Sequence, residues 1–332
     1  MPPVWKLSRC VMLFFCCFVL AAMGGCGEQE QAKKVDLSER REITLSGAPA
    51  ALTYAYLPQY THTASYQRHH MIVEYLARVT GLNVQQIFPD TFDEHIHMVG
   101  RGLIDISFVN PFIYVKLADL HGARPLVRIV EPTGQLNFRG QVICRADNPE
   151  IKTIQDLRGK RLIAVDPSSA GGYLFPWGLI LENGLRPQDF AAISFAPGPG
   201  GKQEKVVMAV YSGKYDAGTI REGTLNLVAD KIDLKQIRVL AESRYYPGWM
   251  YAARRDLDPA LASQVQKALL DLDYDNPEHR KMLDNAGFIG AKKAVDADFD
   301  PVRHLMKMVQ AHPGSPKTFG SSPGGEIKTW SD

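Results

Sequence analysis

Two periodicities alternate along this chain. LTYAYL (52–57), LNVQQIF (82–88) and IDISFVN (104–110) have the short apolar runs of strands. Between them, SYQRHHMIVEYLARVTG (65–81) places Ile72, Leu76 and Val79 on one helical stripe and stops at Gly81. Thr91 and Glu94 form a capping pair that opens the next helix, which ends by Gly102. IYVKLADLHG (113–122) reads as a third helix. This β–α order predicts an α/β fold, with a mainly parallel sheet and helices on both faces.

After FRGQVICRA (138–146) the same grammar repeats. Thr153 opens a short helix, TIQDLRG (153–159). RLIAVD (161–166) is a strand that passes through DPSSAGG into a helix ending near Asn183. AISFAP (192–197), the helix KQEKVVMAVYSG (202–213) and the strand YDAGTI (215–220) follow. Two α/β lobes joined by a hinge are expected, with a cleft between them and crossings near 138–143 and 239–243. Residues 42–140 form the first lobe and 141–240 the second. Residues 241–311 return to the first lobe through helices at 259–272 and 277–287.

The N-terminus reads differently. Lys6 and Arg9 precede the 13-residue apolar run 11–23, which is shorter than the roughly 20 residues a spanning helix needs. Residues 1–25 therefore read as a secretory signal. Met23-Gly24-Gly25-Cys26 has the form of a bacterial lipobox, with Met23 where Leu is usual, and Cys26 is the expected lipid-bearing N-terminus. Such a chain would sit at the periplasmic face of a membrane. Polar residues 26–41 read as a flexible tether, and the Gly/Ser/Pro-rich stretch 312–332 as a disordered tail.

Charge and cysteine usage narrow the function. Removing residues 1–25 takes away Lys6 and Arg9 and no acid, so 38 basic residues become 36, matching the 36 acidic ones. A neutral chain without a basic cluster gives no support for nucleic-acid binding. Of the five cysteines only Cys144 follows Cys26, so the mature chain has no zinc cluster and no disulfide beyond that position. Cys144 is expected to be a buried thiol.

Ligands of open α/β sheets bind beyond the carboxyl ends of the strands. Here those ends carry Tyr60, then Asn110 and Tyr114, then Ser168, Ser169 and Gly171, and finally Thr219 and Arg221. The third is the sharpest, because it combines serine hydroxyls, two glycines and the free N–H groups of a helix start. The turn alone fits an oxyanion cradle and an ordinary serine cap equally. Lys202 opens a helix, with its side chain either on the surface or in the cleft. Arg221 pairs either with an anion or with Glu222 or Asp216. GPGGKQ (198–203) lacks a phosphate loop's first Gly and its Ser/Thr. His95 and His97, two apart on a helix, point in different directions and are read as surface residues, as are His69 and His70. No acid–base pair, metal set or cofactor motif emerges, so no enzyme activity, cofactor or metal is expected.

GLIDISFVNPFIYVKLADLHGARPLVR (102–128), IKTIQDLRGKRLIAVDPSSAGGYLFPWGLILENGL (151–185) and MAVYSGKYDAGTIREG (208–223) together resemble the phosphate/phosphite/phosphonate-binding family of periplasmic solute-binding proteins. The resemblance implies a two-lobed type II periplasmic-binding-protein fold. It also implies a monomer that closes on a small anion and delivers it to an ABC transporter permease. It puts the anion on the helix start after DPSS and Tyr114 on the opposite wall. The family's third small hydroxyl is replaced by Ala170, and its turn histidine approximately by Lys202. DAGTIREG and SRYYPGWMYAA (243–253) are more similar to sensor domains of membrane histidine kinases, some of which respond to sulfur oxyanions such as tetrathionate. The alternative is therefore a ligand-sensing module with a kinase as partner.

Overall fold

The computed structural model describes residues 51–312 apart from Pro199. The signal, Cys26 and tether readings lie outside the described residues, as does the tail beyond His312. The chain enters through β1 (Leu52–Tyr56), α1 (His62–Thr80), β2 (Val84–Ile87), α2 (Phe92–Gly100), β3 (Ile106–Val109), α3 (Pro111–His121) and β4 (Arg124–Val130). It continues through β5 (Asn137–Phe138), β6 (Gly140–Arg145) and β7 (Arg161–Ala164). A π-helical turn (Ala170–Leu174) then leads into α4 (Phe175–Glu182), β8 (Ala192–Phe195), α5 (Lys202–Tyr211), β9 (Ala217–Arg221) and β10 (Ile237–Glu242). The return comprises β11 (Tyr246–Pro247), β12 (Met250–Ala253), α6 (Pro259–Leu270), α7 (Pro277–Ala286), β13 (Gly290–Lys293) and α8 (Asp300–Gln310). Among the described residues, no helix is long and apolar enough to cross a membrane.

These strands build two mixed sheets, ordered β13-β4-β12-β3-β1-β2 and β10-β6-β9-β7-β8. The β–α–β core of each is parallel: β1 with β2 and β3, and β7 with β8 and β9. Antiparallel strands come from the chain's traffic between sheets. β12 enters the first sheet between β3 and β4, antiparallel to both. β6 pairs antiparallel with β9 and β10 in the second. Residues expected as crossings are in fact paired across this edge, with Val239 opposite Ile143 and Glu242 opposite Gln141. The passages run through Phe138, at the edge of the first expected crossing, and Tyr246, just past the second, where β5 and β11 form a separate two-stranded ribbon.

Aromatic packing holds the first sheet. Phe108 on β3 lies 5.1 Å from Trp249 and 4.8 Å from Tyr251, ring centre to ring centre. Fully burying such a side chain contributes about 2 kcal/mol. Asp105, just before β3, accepts from Thr53 N–H at 2.8 Å and from Arg254 Nε at 2.6 Å, tying the strand's entry to β1 and β12. Cys144 is a buried free thiol.

Two helix readings change. On α1 the buried stripe contains Ser65, His69, Ile72, Val73, Tyr75 and Leu76, while Val79 in the last turn is exposed. His69 and His95 are fully buried rather than superficial. Tyr54 hydroxyl meets His69 Nδ1 at 2.5 Å, and Ser107 hydroxyl meets His95 Nε2 at 2.9 Å. Each helix thus places a histidine over a strand that supplies a hydroxyl partner. Burial holds both imidazoles down to about 3, with the nearby Arg68 guanidinium adding to the effect on His69.

Candidate functional site

A cavity of about 910 Å³ opens where the parallel strands of both sheets end. That is within the range of small-molecule sites, about 300–1,000 Å³. The first lobe contributes Pro58–Tyr60 after β1, Asp90–Asp93 after β2 and Lys116 on α3. The second contributes Val165–Ser169 after β7, the start of α5 from Gly200 to Glu204, and Leu227 after β9.

The turn after β7 is shaped by its own side chains. Asp166 Oδ1 accepts from the Ser168 N–H at 2.8 Å, and Asp166 Oδ2 accepts from Lys202 Nζ at 2.6 Å. Ser169 Oγ accepts the Gly172 N–H at 3.1 Å, so it caps the π-helical turn. Thr219 hydroxyl donates to the Gly172 carbonyl at 2.7 Å from the neighbouring strand. A Cβ on Gly172 would come within 2.3 Å of Val165 Cγ2, and one on Gly171 within 2.7 Å of Phe138. Both glycines allow the turn to pack against the protein.

The first lobe reaches this turn from α3. Asn110 caps that helix by accepting the Ile113 N–H at 2.9 Å. Its amide also approaches the Ser168 carbonyl at 3.4 Å. Lys116 Nζ donates to Ser168 Oγ at 3.1 Å. The Lys116 side chain is buried, with its ammonium 4.6 Å from the centre of the Phe112 ring. Burial lowers the Lys116 pKa, and the Asp93 and Asp166 carboxylates oppose that fall.

The residues singled out from sequence therefore separate into groups. Tyr60, Ser168, Ser169 and Lys202 line the cavity together. Asn110 and Thr219 stand behind it and hold the turn, and Gly171 faces Phe138 and Arg221. Arg221 is paired with Glu131 at 2.6 Å, while Glu222 pairs with Arg139 and Asp216 with Arg161. Tyr114 is fully buried away from the lining; its hydroxyl donates to Asp296 Oδ1 at 2.5 Å and its ring centre is 4.4 Å from that of Phe299. Sequence reasoning passed over Lys116. Its signal was a lone cation in the apolar stretch PFIYVKLA (111–118).

Serine hydroxyls, backbone N–H groups and two lysines give this cavity donors for an oxyanion. Four carboxylates, Asp90, Asp93, Asp166 and Glu204, also line it. The lining as a whole is therefore not a cationic funnel, and an anion must be held by direct contacts.

Two α/β lobes with a cavity lined from both define a solute-binding protein of the periplasmic type. Residues 54–299 match the family described as ABC transporter, phosphonate, periplasmic substrate-binding protein, and the chain belongs to that family. It is 26% identical over 283 residues to the phosphate-import protein PhnD of Mycolicibacterium smegmatis, covering 80% of this chain and 88% of that protein. It is 27% identical over 185 residues to the tetrathionate sensor histidine kinase TtrS of Salmonella typhimurium, covering 52% of this chain but 31% of the kinase. The fold is shared with PhnD1 of Prochlorococcus marinus, solved with methylphosphonate, at a TM-score of 0.69 and 14% identity over 79% of this chain and 99% of that one.

Proposed function

We propose that this chain is the extracytoplasmic receptor of an ABC importer for a small phosphorus oxyanion of the phosphate, phosphite or phosphonate class. The observation that carries this reading is the meeting of Ser168 from the second lobe with Lys116 from the first, 3.1 Å apart at the cavity. An oxyanion on Ser168 would contact both lobes at once. Contacts available only when the lobes are together stabilise the closed form, which is how binding would drive hinge closure. Tyr60 and Lys202 would complete the grip, and Ser169 would hold the turn through its cap on the Gly172 N–H. A lipid on Cys26 would keep the monomeric receptor beside its permease. The chain would bind and release its ligand unchanged.

Thermal-shift titration of the mature protein tests this reading. Phosphate, phosphite, alkylphosphonates, sulfate, thiosulfate and tetrathionate form the panel. A phosphorus oxyanion raises the melting temperature with ligand concentration over affinity. A shift with neutral or cationic solutes and with no anion overturns it. A shift with tetrathionate alone replaces it by the sensor reading, with a membrane kinase as partner. Mass spectrometry of the membrane-extracted protein tests lipidation, and an unmodified N-terminus removes the anchor.

A further inference from the structure

Tyr114 and Lys116 are two residues apart on α3, so their side chains leave the helix about 200° apart. The helix can present one of them to the cavity, and it presents Lys116. Tyr114 is turned to the opposite side, where Asp296 and Phe299 hold it. The first lobe thus meets the ligand space with a cation where the family resemblance implied a neutral phenol.

We propose that Lys116 is the first-lobe cation that grips the ligand, and that it makes the site select head groups by charge, favouring a dianion over a monoanion of the same shape. This rests on the oxyanion reading above. Lys116 is only 5% exposed, so contact with it occurs in a wall from which water is largely excluded. Its ammonium already touches the Ser168 hydroxyl, so a ligand oxygen seated on that hydroxyl lies within its reach. Phe112 covers another side of the ammonium. Asp166 is engaged by both the Ser168 N–H and Lys202, which fixes its carboxylate within the turn. Asp90 is held by His62 at 3.0 Å. Asp93 and Glu204 oppose any anion, so selection must come from the contact ion and not from the cavity's net field. Coulomb attraction to an ammonium doubles when the head group carries a second charge, as does repulsion from Asp93 and Glu204. Direct contact makes the attraction to Lys116 the larger of the two, and screening by salt is weak at a buried site.

Methylphosphonate and methanesulfonate test this directly. Both are tetrahedral and carry one methyl group, and at mildly alkaline pH the first is a dianion and the second a monoanion. Calorimetric titration of the wild-type protein gives tighter binding of methylphosphonate. Losing a hydrogen bond to a charged group predicts that K116M weakens methylphosphonate binding by about 10- to 150-fold. Methanesulfonate loses less, so the preference between the two collapses. K116R retains the preference, since it retains the charge. Y114F leaves both affinities within about 3-fold, as expected of a residue outside the cavity. An unchanged preference in K116M overturns the inference, as does a Y114F loss equal to that of K116M. In either case a wild type that binds methylphosphonate leaves the oxyanion reading standing. A wild type blind to every phosphorus oxyanion overturns that reading and this inference together.

Discussion

Arg221 Nη2 lies 2.6 Å from Glu131 Oε2, an ion pair between the end of β9 in the second sheet and the segment leaving β4 in the first. The guanidinium also stacks over Phe138 of the connecting ribbon at 4.6 Å. The Arg221 N–H donates to Gln203 Oε1 at 3.0 Å, and Gln203 lines the cavity. One residue therefore joins the cavity wall, the ribbon and the other lobe. Replacing Glu131 by Gln removes the counter-ion. Arg221 keeps 31% side-chain exposure, so the cost falls at the lower end for a charged hydrogen bond, about 1–2 kcal/mol. Urea unfolding measures it. A stability equal to wild type, or an R221M variant that loses ligand while keeping its stability, contradicts this structural assignment.

The two serines of the turn separate by the same logic. Ser169 accepts the Gly172 N–H as a cap, whereas Ser168 Oγ accepts from Lys116. Ser169→Ala lowers stability by about 1 kcal/mol, the usual cost of a lost cap. Ser168→Ala weakens binding of a phosphorus oxyanion by about 1–3 kcal/mol, as for a charged hydrogen bond. Melting curves and dissociation constants for both variants check the division. The reverse pattern, with Ser168→Ala neutral in binding, would sink it.

The buried histidines set a dependence on pH. His69 and His95 have folded values near 3, below the usual 6.5. Between these limits the unfolded chain binds protons that the folded chain refuses, so stability falls as pH drops from about 6.5 toward 3. A tenfold difference in proton affinity between the folded and unfolded chain is worth about 1.4 kcal/mol. Asp216 is held below its usual 3.8 by hydrogen bonding to Arg161, and its stabilisation is also lost as pH falls. That loss sets in only below about pH 5, so the window from 6.5 to 5 separates the histidines from it. Denaturation at about pH 7 and pH 5 should show a smaller difference for His95→Gln than for wild type. An equal difference excludes His95 as a source.

Strand ends were legible from sequence because short apolar runs closed by turn residues mark them locally. Tyr60, Ser168 and Ser169 follow from that rule, whereas Lys202, at a helix start, reads as either a surface or a cleft residue. The facing of α3 was not legible. Pro111 through Leu117 are all buried, so the helix has no polar face from which its phase could be read. Choosing Tyr114 over Lys116 required knowing that Asp296 and Phe299, far along the chain, occupy one side. The partner of Arg221 was hidden similarly, since Glu131 lies 90 positions away while Glu222 and Asp216 are neighbours. His95 read as superficial because its partner Ser107 sits on a separate strand.

Gly172 gives a sharper test of the turn than either serine. Its N–H is capped by Ser169, its carbonyl accepts from Thr219, and its carbonyl also receives the Val165 N–H at 3.2 Å. The backbone is thus held on three sides and cannot retreat. An alanine Cβ there would lie 2.3 Å from Val165 Cγ2 and 2.9 Å from Ser169 Oγ. Overpacking of this kind costs about 1–3 kcal/mol. Val165→Ala removes the methyl that the new Cβ meets most closely, and it leaves Val165 Cβ at 2.6 Å, so the relief is partial. The double variant G172A/V165A should therefore be more stable than the sum of the two single changes predicts, with a coupling of about 0.5–2 kcal/mol. Chemical denaturation of the four proteins in the cycle measures that coupling. Simple additivity would mean that the Val165 methyl is not what bars a side chain at Gly172.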